Sequence, residues 1–157
     1  MLKENLAALF QEYFEIVRAN TQQLKHCCYK IRYDVYCKEL GFEDPEVFPD
    51  GMERDLCDDS SHHYLIKHKT SGQFAGTIRV VDPLLTETPL TCPFETYCLQ
   101  SLYDEELHPK MFEKGSYCEV SRLAVPNTFR RRSGEYGRPY IFDGERVSIT
   151  MEEQKAF

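Results

Sequence analysis

The sequence predicts one domain of the α/β or α+β class that spans residues 1–157. Two segments with helical periodicity come first, and segments with strand character separated by turns follow them. Hydrophobic residues make up 41% of the chain and charged residues 29%, which is typical of a globular protein with its own hydrophobic core. This order of elements predicts helices that pack against a sheet.

Two amphipathic helices are predicted in the N-terminal part of the chain. Apolar residues recur at helical spacing over residues 2–19, with charged residues between them. Because the polar face of this helix is not rich in lysine, packing on the domain is favoured over binding at a membrane surface. A second helix is predicted to follow Thr21, its N-cap, with a buried face that runs from Leu24 to about Leu40, and Gly41 ends it.

A β-hairpin is predicted after an acidic loop. Residues 42–61 are rich in Asp, Pro and Gly, which favours a loop. A strand is predicted to begin at Tyr64, a turn at residues 69–72, and a second strand over residues 74–81.

The rest of the chain predicts a sheet that is too small to be complete. A short helix is expected over residues 98–107 and a third, largely buried strand over residues 117–125. Only about 30 residues follow, too few for a crossover helix and more strands. We therefore expect the C-terminal part of the fold to be missing. The exposed edge would favour self-association, such as a homodimer.

Charge and cysteine content indicate which kinds of binding partner and which cellular compartment to expect. Lys and Arg total 19, Asp and Glu total 26, and the net charge of −7 argues against nucleic-acid binding. Seven cysteines, an odd number, favour reduced thiols and a cytoplasmic location. No apolar run approaches the ~20 residues of a membrane span, and no signal peptide is evident. No metal site is expected, because no Cys or His pair has ligand spacing.

Four blocks of sequence carry a resemblance to a known family. They are Arg32, Val35, Tyr36, Gly41 and Phe42; Met52–Asp58; Gly76–Arg79; and Glu119–Val125. In this order and at these spacings the chain resembles the acyl-homoserine-lactone autoinducer synthases. A further match, Phe10–Glu15 followed by Tyr29–Cys37, is closer to the acyltransferases associated with exosortase and PEP-CTERM systems, which are related to N-acyl amino acid synthases.

The resemblance implies a GNAT-like acyl-CoA N-acyltransferase fold. It also implies transfer of a fatty acyl group from acyl carrier protein or acyl-CoA to the amine of an amino acid or similar small molecule, with no tightly bound cofactor. Two alternatives stay open. One is acyl-homoserine-lactone synthesis from S-adenosylmethionine, which Phe42 disfavours because those synthases favour Trp there. The other is an inactive domain that binds acyl carrier protein or acyl chains as a regulator.

An electrostatic cluster beside the amine pocket is implied by the resemblance. Asp55 and Asp58, three residues apart, can lie on one side of a turn and pair with Arg32 and Arg79. The alternative is a solvated acidic loop. The candidate substrate-binding residues are Arg32, Tyr36, Phe42, Asp55, Asp58 and Arg79.

The candidate catalytic residues, Glu119, Ser121 and Arg122, lie on the third predicted strand. Alternation places Glu119 and Ser121 on one face and Arg122 on the other. A carboxylate in an apolar strand is costly without partners, so Glu119 is either ion-paired structure or an acid/base. Because aminolysis of a thioester requires loss of a proton from the amine, Glu119 is the candidate base. The resemblance implies that backbone amides near this strand polarise the thioester carbonyl.

A basic segment after this strand is the candidate donor site. GNAT enzymes bind pantetheine phosphates on a Gln/Arg-x-x-Gly-x-Gly/Ala motif, which Arg131-x-x-Gly134 matches. Tyr136 replaces the last small residue, which favours acyl carrier protein over coenzyme A. The alternative is a disordered basic loop. The candidate acyl-carrier-binding residues are Arg130, Arg131, Arg132 and Gly134.

Overall fold

The computed structural model describes residues 6–85, 91–113, 115–130, 140–142 and 145–147. Its helices and strands are, in chain order, α1 (Leu6–Tyr13), β1 (Phe14–Arg18), α2 (Gln22–Tyr33), a π-helix (Asp34–Glu39), β2 (Ser61–His68), β3 (Phe74–Val81), α3 (Pro93–Tyr97), β4 (Glu119–Ala124), β5 (Tyr140–Phe142) and β6 (Glu145–Val147). Single 3-10 turns lie at Pro45–Val47, Asp58–Ser60, Leu99–Ser101 and Pro109–Met111. This mixture of helices and strands confirms the predicted fold class.

A four-stranded antiparallel sheet has the strand order β1-β2-β3-β4, and β5 and β6 form a separate antiparallel pair. The predicted hairpin is confirmed as β2 and β3, although β2 begins three residues early, at Ser61. The turn is closed by the N–H of His68, which donates to the carbonyl of Gln73 at 2.8 Å. Gly72 in this turn has a φ of +71°, a left-handed conformation that glycine adopts without strain.

The prediction of one helix over residues 2–19 is wrong after Tyr13. The chain leaves α1 and enters β1, which pairs antiparallel with β2 along all of its residues. Ile16 and Val17 are β-branched and favour extended backbone. The open edge of β2 supplies hydrogen bonds for this segment, and that tertiary contact overrides the helical spacing of its apolar residues.

The second predicted helix and its caps are present. The hydroxyl of Thr21 accepts a hydrogen bond from the N–H of Leu24 at 3.3 Å, as expected for an N-cap. The last turns widen into the π-helix, where the N–H of Leu40 donates to the carbonyl of Val35 at 2.9 Å. Gly41, with a φ of +63°, ends the helical segment.

The hydrophobic core lies where the N-terminal elements meet the sheet. One cluster of buried residues consists of Ala19, Cys28, Tyr29 and Leu65. A second consists of Phe14, Ala75 and Phe129. Because α2 packs against β2, β3 and β4, polar side chains on its sheet-facing side are also withdrawn from water.

The short helix predicted over residues 98–107 lies elsewhere. The structure has α3 directly after Cys92, followed by a single 3-10 turn. Pro93 stands in the first turn, where its missing N–H costs nothing. The carboxylate of Glu95 accepts a hydrogen bond from the N–H of Cys92 at 2.9 Å, so this pair fixes the start of the helix.

The described helices are short. The α-helical part of α2 has 12 residues. Within the described ranges, no helix has the length and apolar character needed to cross a bilayer.

Candidate active site

Three arginines and three carboxylates form a closed ring of ion pairs on the α2 side of the sheet. The arginines come from three different elements, α2, β3 and β4, and the carboxylates come from the loop before β2. In order around the ring, the members are Arg32, Glu53, Arg122, Asp55, Arg79 and Asp58.

The deep half of the ring is almost inaccessible to water. Arg32 pairs with Glu53 through Nε. It also pairs with Asp58 at two points, Nη1 to Oδ1 at 2.6 Å and Nη2 to Oδ2 at 3.1 Å. Arg79 Nη1 lies 3.0 Å from the same Oδ1 of Asp58. All four side chains are at most 5% exposed, so their charges are compensated by one another and not by solvent.

The outer half of the ring is partly open. Arg79 Nη1 lies 2.5 Å from Oδ1 of Asp55, and Arg122 Nη2 lies 3.0 Å from Oδ2 of the same carboxylate. Arg122 Nε lies 3.2 Å from Oε1 of Glu53, which closes the ring. The side chains of Asp55 and Arg122 are 30% and 29% exposed, so this edge of the ring faces solvent.

Each carboxylate bridges two arginines, and the ring carries no net formal charge. Burial opposes the charge of Arg32, but its hydrogen bonds to Glu53 and Asp58 outweigh that cost and raise its pKa above the ordinary value. Burial likewise works against ionised Asp58, yet the hydrogen bond from Arg32 and its charge hold the pKa of this carboxyl below 3.8. Arg32 and Asp58, the two-point pair of the buried half, are therefore both ionised at neutral pH.

Local hydrogen bonds hold the acidic loop in the shape that the ring requires. The N–H of Asp55 donates to Oδ2 of Asp58 at 2.7 Å, and the N–H of Cys57 donates to Oδ1 of Asp55 at 2.9 Å. The N–H of Glu53 donates to the carbonyl of Tyr29 on α2 at 3.1 Å. The two aspartates thus lie on one side of a turn and pair with Arg32 and Arg79 in the predicted pattern.

Sequence reasoning assigned no role to Glu53, which the structure places at one end of the buried half, where it joins that half to Arg122. Its side chain is 1% exposed and contacts both Arg32 and Arg122. The only available signal was its position in the acidic block Met52–Asp58, two residues before Asp55. The substrate-binding role predicted for the ring residues stays a prediction.

The expectation that Arg122 points away from Ser121 is wrong. Ser121 Oγ accepts a hydrogen bond from Arg79 Nε at 3.3 Å, and Arg122 reaches the same cluster through Asp55. The reason is a β-bulge in β4: Arg122 has a φ of +54°, and the pairing with β3 slips between Thr77 and Arg79. The extra residue breaks the alternation, so neighbouring side chains share one face.

Tyr36 and Phe42 lie differently with respect to the ring. The hydroxyl of Tyr36 donates to the carbonyl of Leu123 at 2.9 Å. The centroid of its aromatic side chain lies 5.9 Å from the guanidinium carbon of Arg122. Burial raises the pKa of Tyr36, so it is a neutral donor. Phe42 donates its N–H to the carbonyl of Tyr36 at 2.8 Å, but its side chain is 72% exposed. Its predicted role as a substrate contact stays a prediction.

Glu119, the candidate base, begins β4 opposite Val81. Its Oε2 accepts a hydrogen bond from the N–H of Phe94 at 2.8 Å, at the start of α3. It lies about 7 Å along the strand from Ser121, two residues away. The carboxylate therefore has a structural contact on one oxygen, and its role as a base stays a prediction.

An open cleft of about 630 Å³ adjoins the ring. Its walls carry charges of both signs beside an aromatic and an aliphatic side chain. The residues that line it are Gln22, Lys25, Tyr29, Arg54, Asp55, Leu56, Asp58 and Asp59. Asp55 and Asp58 belong to both the ring and the cleft, whereas Glu119 is not among the described residues that line it.

Of the predicted donor-binding residues, only Arg130 lies within the described ranges. Its guanidinium pairs with the carboxylate of Glu39 at the end of the π-helix. Arg131, Arg132 and Gly134 lie outside the described residues. In the described part of the chain, no group of three or more His, Cys, Asp or Glu side chains is arranged to hold a metal ion.

The family comparison defines the class of protein. The family model described as Acetyltransferase (GNAT) domain matches residues 31–137, which is more than half of the chain and includes all six ring residues. The protein is thus an acyl-group transferase. The chain belongs to the GNAT acetyltransferase domain family, and the predicted GNAT-like fold is confirmed. No curated protein and no solved structure matches the chain significantly.

Proposed function

We propose that this protein transfers a fatty acyl group from acyl carrier protein, or from acyl-CoA, to the amine of an amino acid. The observation that carries the proposal is the fixed ring of ion pairs beside a cleft with charges of both signs. Membership in the GNAT family supplies the reaction type, acyl transfer from a thioester. The resemblance to N-acyl amino acid synthases supports the choice of acceptor.

The cleft has the chemistry expected of a site for a zwitterion. Asp55 and Asp59 present carboxylates to an ammonium group, and Lys25 and Arg54 present cations to a carboxylate. Because two arginines already fix the side chain of Asp55, binding of the ligand does not have to include the entropy cost of ordering it. An amino acid carries both charges on one carbon and fits this arrangement.

The reaction requires removal of a proton from the ammonium group. Because Glu119 is not among the described residues that line the cleft, it takes this proton through water, and the freed amine attacks the thioester carbonyl carbon. A bond forms between nitrogen and the carbonyl carbon, the bond between carbon and sulfur breaks, and the thiolate leaves and is protonated. The products are an amide and the free thiol of the carrier.

The choice of donor is supported by the charge distribution. The chain has a net charge of −7, yet three consecutive arginines, Arg130, Arg131 and Arg132, follow β4. Acyl carrier proteins are acidic, so a local basic segment in an acidic molecule favours one docking orientation.

The experiment is a thiol-release assay with octanoyl-acyl carrier protein and a panel of amino acids. We expect thiol to be released only when a suitable amine is present, and the amide to be detected by mass spectrometry. No release with any amine would contradict the proposal. Formation of a lactone from S-adenosylmethionine would instead support the autoinducer-synthase alternative.

The role of Glu119 is tested with a matched pair of variants. Glu119 and Glu95 both accept a hydrogen bond from a main-chain N–H at the start of α3. If Glu119 is the base, Glu119→Gln lowers kcat about 100-fold or more, whereas Glu95→Gln changes it little. Equal effects of the two substitutions would assign Glu119 to structure alone.

A further inference from the structure

We propose that Glu39 is a positioning residue that fixes the helical turn of residues 126–130, which leads from β4 into the predicted acyl-donor segment. It acts on the main chain of Asn127 and on the side chain of Arg130. The proposal rests on the proposed function for the identity of the donor. Its geometric part rests on the contacts of Glu39 alone.

The carboxylate of Glu39 makes contacts with two residues of this segment. Oε1 and Oε2 each lie 3.1 Å from the main-chain nitrogen of Asn127, so both oxygens accept from one N–H. Oε2 also accepts from Nη2 of Arg130. The side chain of Glu39 is 18% exposed, and water therefore competes weakly for these contacts.

The bound segment is a single helical turn that follows β4 directly. The N–H groups of Phe129 and Arg130 both donate to the carbonyl of Pro126, at 2.9 and 3.0 Å. The N–H of Asn127 stands at the start of this turn, where a helical turn has no partner of its own. Glu39 supplies that partner, as a capping carboxylate would, from a distant part of the chain.

The π-helix determines where Glu39 lies. Its wide turn is shown by the hydrogen bond from the N–H of Leu40 to the carbonyl of Val35, five residues earlier. In a regular α-helix each residue rotates the side-chain direction by about 100° around the axis. The wider turn of the π-helix therefore changes the direction of the Glu39 side chain from the one that a regular helix would give. The π-helix, through Glu39, thus connects the turn of residues 126–130 to α2, which also carries Arg32 of the ring.

These contacts change the role assigned to Arg130. Nη2 of its guanidinium donates to Glu39, its Nε is buried, and its side chain is 35% exposed. It is directed toward the protein, and we therefore assign it to positioning of the segment and not to direct binding of a donor phosphate.

The test compares Glu39→Gln with Asp34→Asn in the full chain. Both substitutions remove one negative charge from the same π-helix. Among the residues that the structure describes, however, Asp34 pairs only with lysines on its own helical segment, Lys30 and Lys38. For Glu39→Gln we expect KM for octanoyl-acyl carrier protein to rise about tenfold, with kcat and KM for the amine unchanged. Asp34→Asn should leave all three constants unchanged.

Amide hydrogen exchange supplies a readout that does not depend on activity. Exchange at Asn127 should become about tenfold faster in Glu39→Gln and stay unchanged in Asp34→Asn. Unchanged exchange in Glu39→Gln would overturn the proposal, as would faster exchange with an unchanged donor KM.

Failure of the proposed function can be told apart from failure of this inference. If the wild-type protein transfers no acyl group to any amine, the proposed function fails. Equilibrium binding of coenzyme A then replaces the donor KM. Equal affinity of the wild type and Glu39→Gln for coenzyme A would overturn the role of Glu39, and weaker binding by the variant would support it.

Discussion

Arg32 on α2 and Asp58 in the acidic loop form a two-point ion pair in which both side chains are at most 5% exposed. The pair joins the helix to the loop that carries the cleft. Because each partner also contacts a second member of the ring, removing one charge leaves others without compensation.

We predict that Arg32→Met destabilises the protein by about 3–5 kcal/mol, because it leaves Glu53 and Asp58 as buried carboxylates with one arginine each. The free energy of unfolding in urea measures this loss. Lys30→Met is the matched control: Lys30 lies two residues earlier, is 67% exposed, and its loss should change stability by no more than about 0.5 kcal/mol. A loss below about 1 kcal/mol for Arg32→Met would show that the ring is not closed in solution.

The left-handed backbone of Arg122 gives a second prediction. Arg122→Gly and Arg122→Ala both remove the ion pairs to Glu53 and Asp55, but only glycine adopts a φ of +54° without strain. The glycine variant should therefore be more stable than the alanine variant by about 1 kcal/mol. At Val120, an ordinary position of the same strand, the order should be reversed, since glycine weakens regular strands. Urea unfolding midpoints compare the four variants, and the same order at both sites would argue against the bulge.

Local patterns account for the parts of the fold that the sequence predicted. The hairpin of β2 and β3 and the N-cap at Thr21 follow from turn residues, alternation and capping chemistry, which depend on nearby residues alone. The helix expected through residues 14–18 failed because the partner of β1 lies about 50 residues away, at the edge of β2. No local periodicity contains that information.

The candidate site shows the same limit. The resemblance and the spacing predicted that Asp55 and Asp58 pair with Arg32 and Arg79. In the structure Asp58 pairs with both arginines and Asp55 pairs with Arg79. Glu53 joins the ring because it is buried, and Arg122 turns toward the ring because β4 contains a bulge. Both features arise only when α2, the loop and β4 pack together. Tertiary packing, not residue type, decides those two contacts.

A third prediction concerns acid stability and centres on His63, whose side chain is 1% exposed. Burial lowers the pKa of His63 below its ordinary value of 6.5, and the charges of nearby Arg32 and Lys25 lower it further. The hydrogen bond to the carbonyl of Asp58 and the charge of that residue raise this pKa, but they do not outweigh the lowering. That carbonyl accepts from Nε2 at 3.1 Å, while Nδ1 is buried and has no hydrogen-bond partner among the described residues.

The sign follows from the protons bound in each state. The unfolded chain binds a proton on this histidine near pH 6.5, whereas the folded protein resists it, so stability is fully present above pH 6.5 and falls as the pH drops toward the folded pKa. His63→Gln should remove this dependence, whose slope is at most about 1.4 kcal/mol per pH unit. His26→Gln, at an exposed position, should keep it. The measurement is the free energy of unfolding of each variant at several pH values between pH 7 and the acid transition. The same slope of this free energy against pH in both variants would contradict the prediction.

The last prediction concerns the cleft. Asp59 lines the cleft with an exposed side chain, and the ring does not include it, so its removal should not disturb the buried ion pairs. If it binds the ammonium group of the acceptor, Asp59→Asn raises KM for the amine about tenfold, which corresponds to the loss of one partly exposed charged contact. The value of kcat should stay within about twofold of the wild type, and the free energy of unfolding within about 0.5 kcal/mol. Glu46→Gln makes the same change of charge in the same loop, outside the cleft, and should leave the KM unaltered. An unchanged amine KM in Asp59→Asn, or an equal rise in Glu46→Gln, would mean that the acceptor binds elsewhere on the protein.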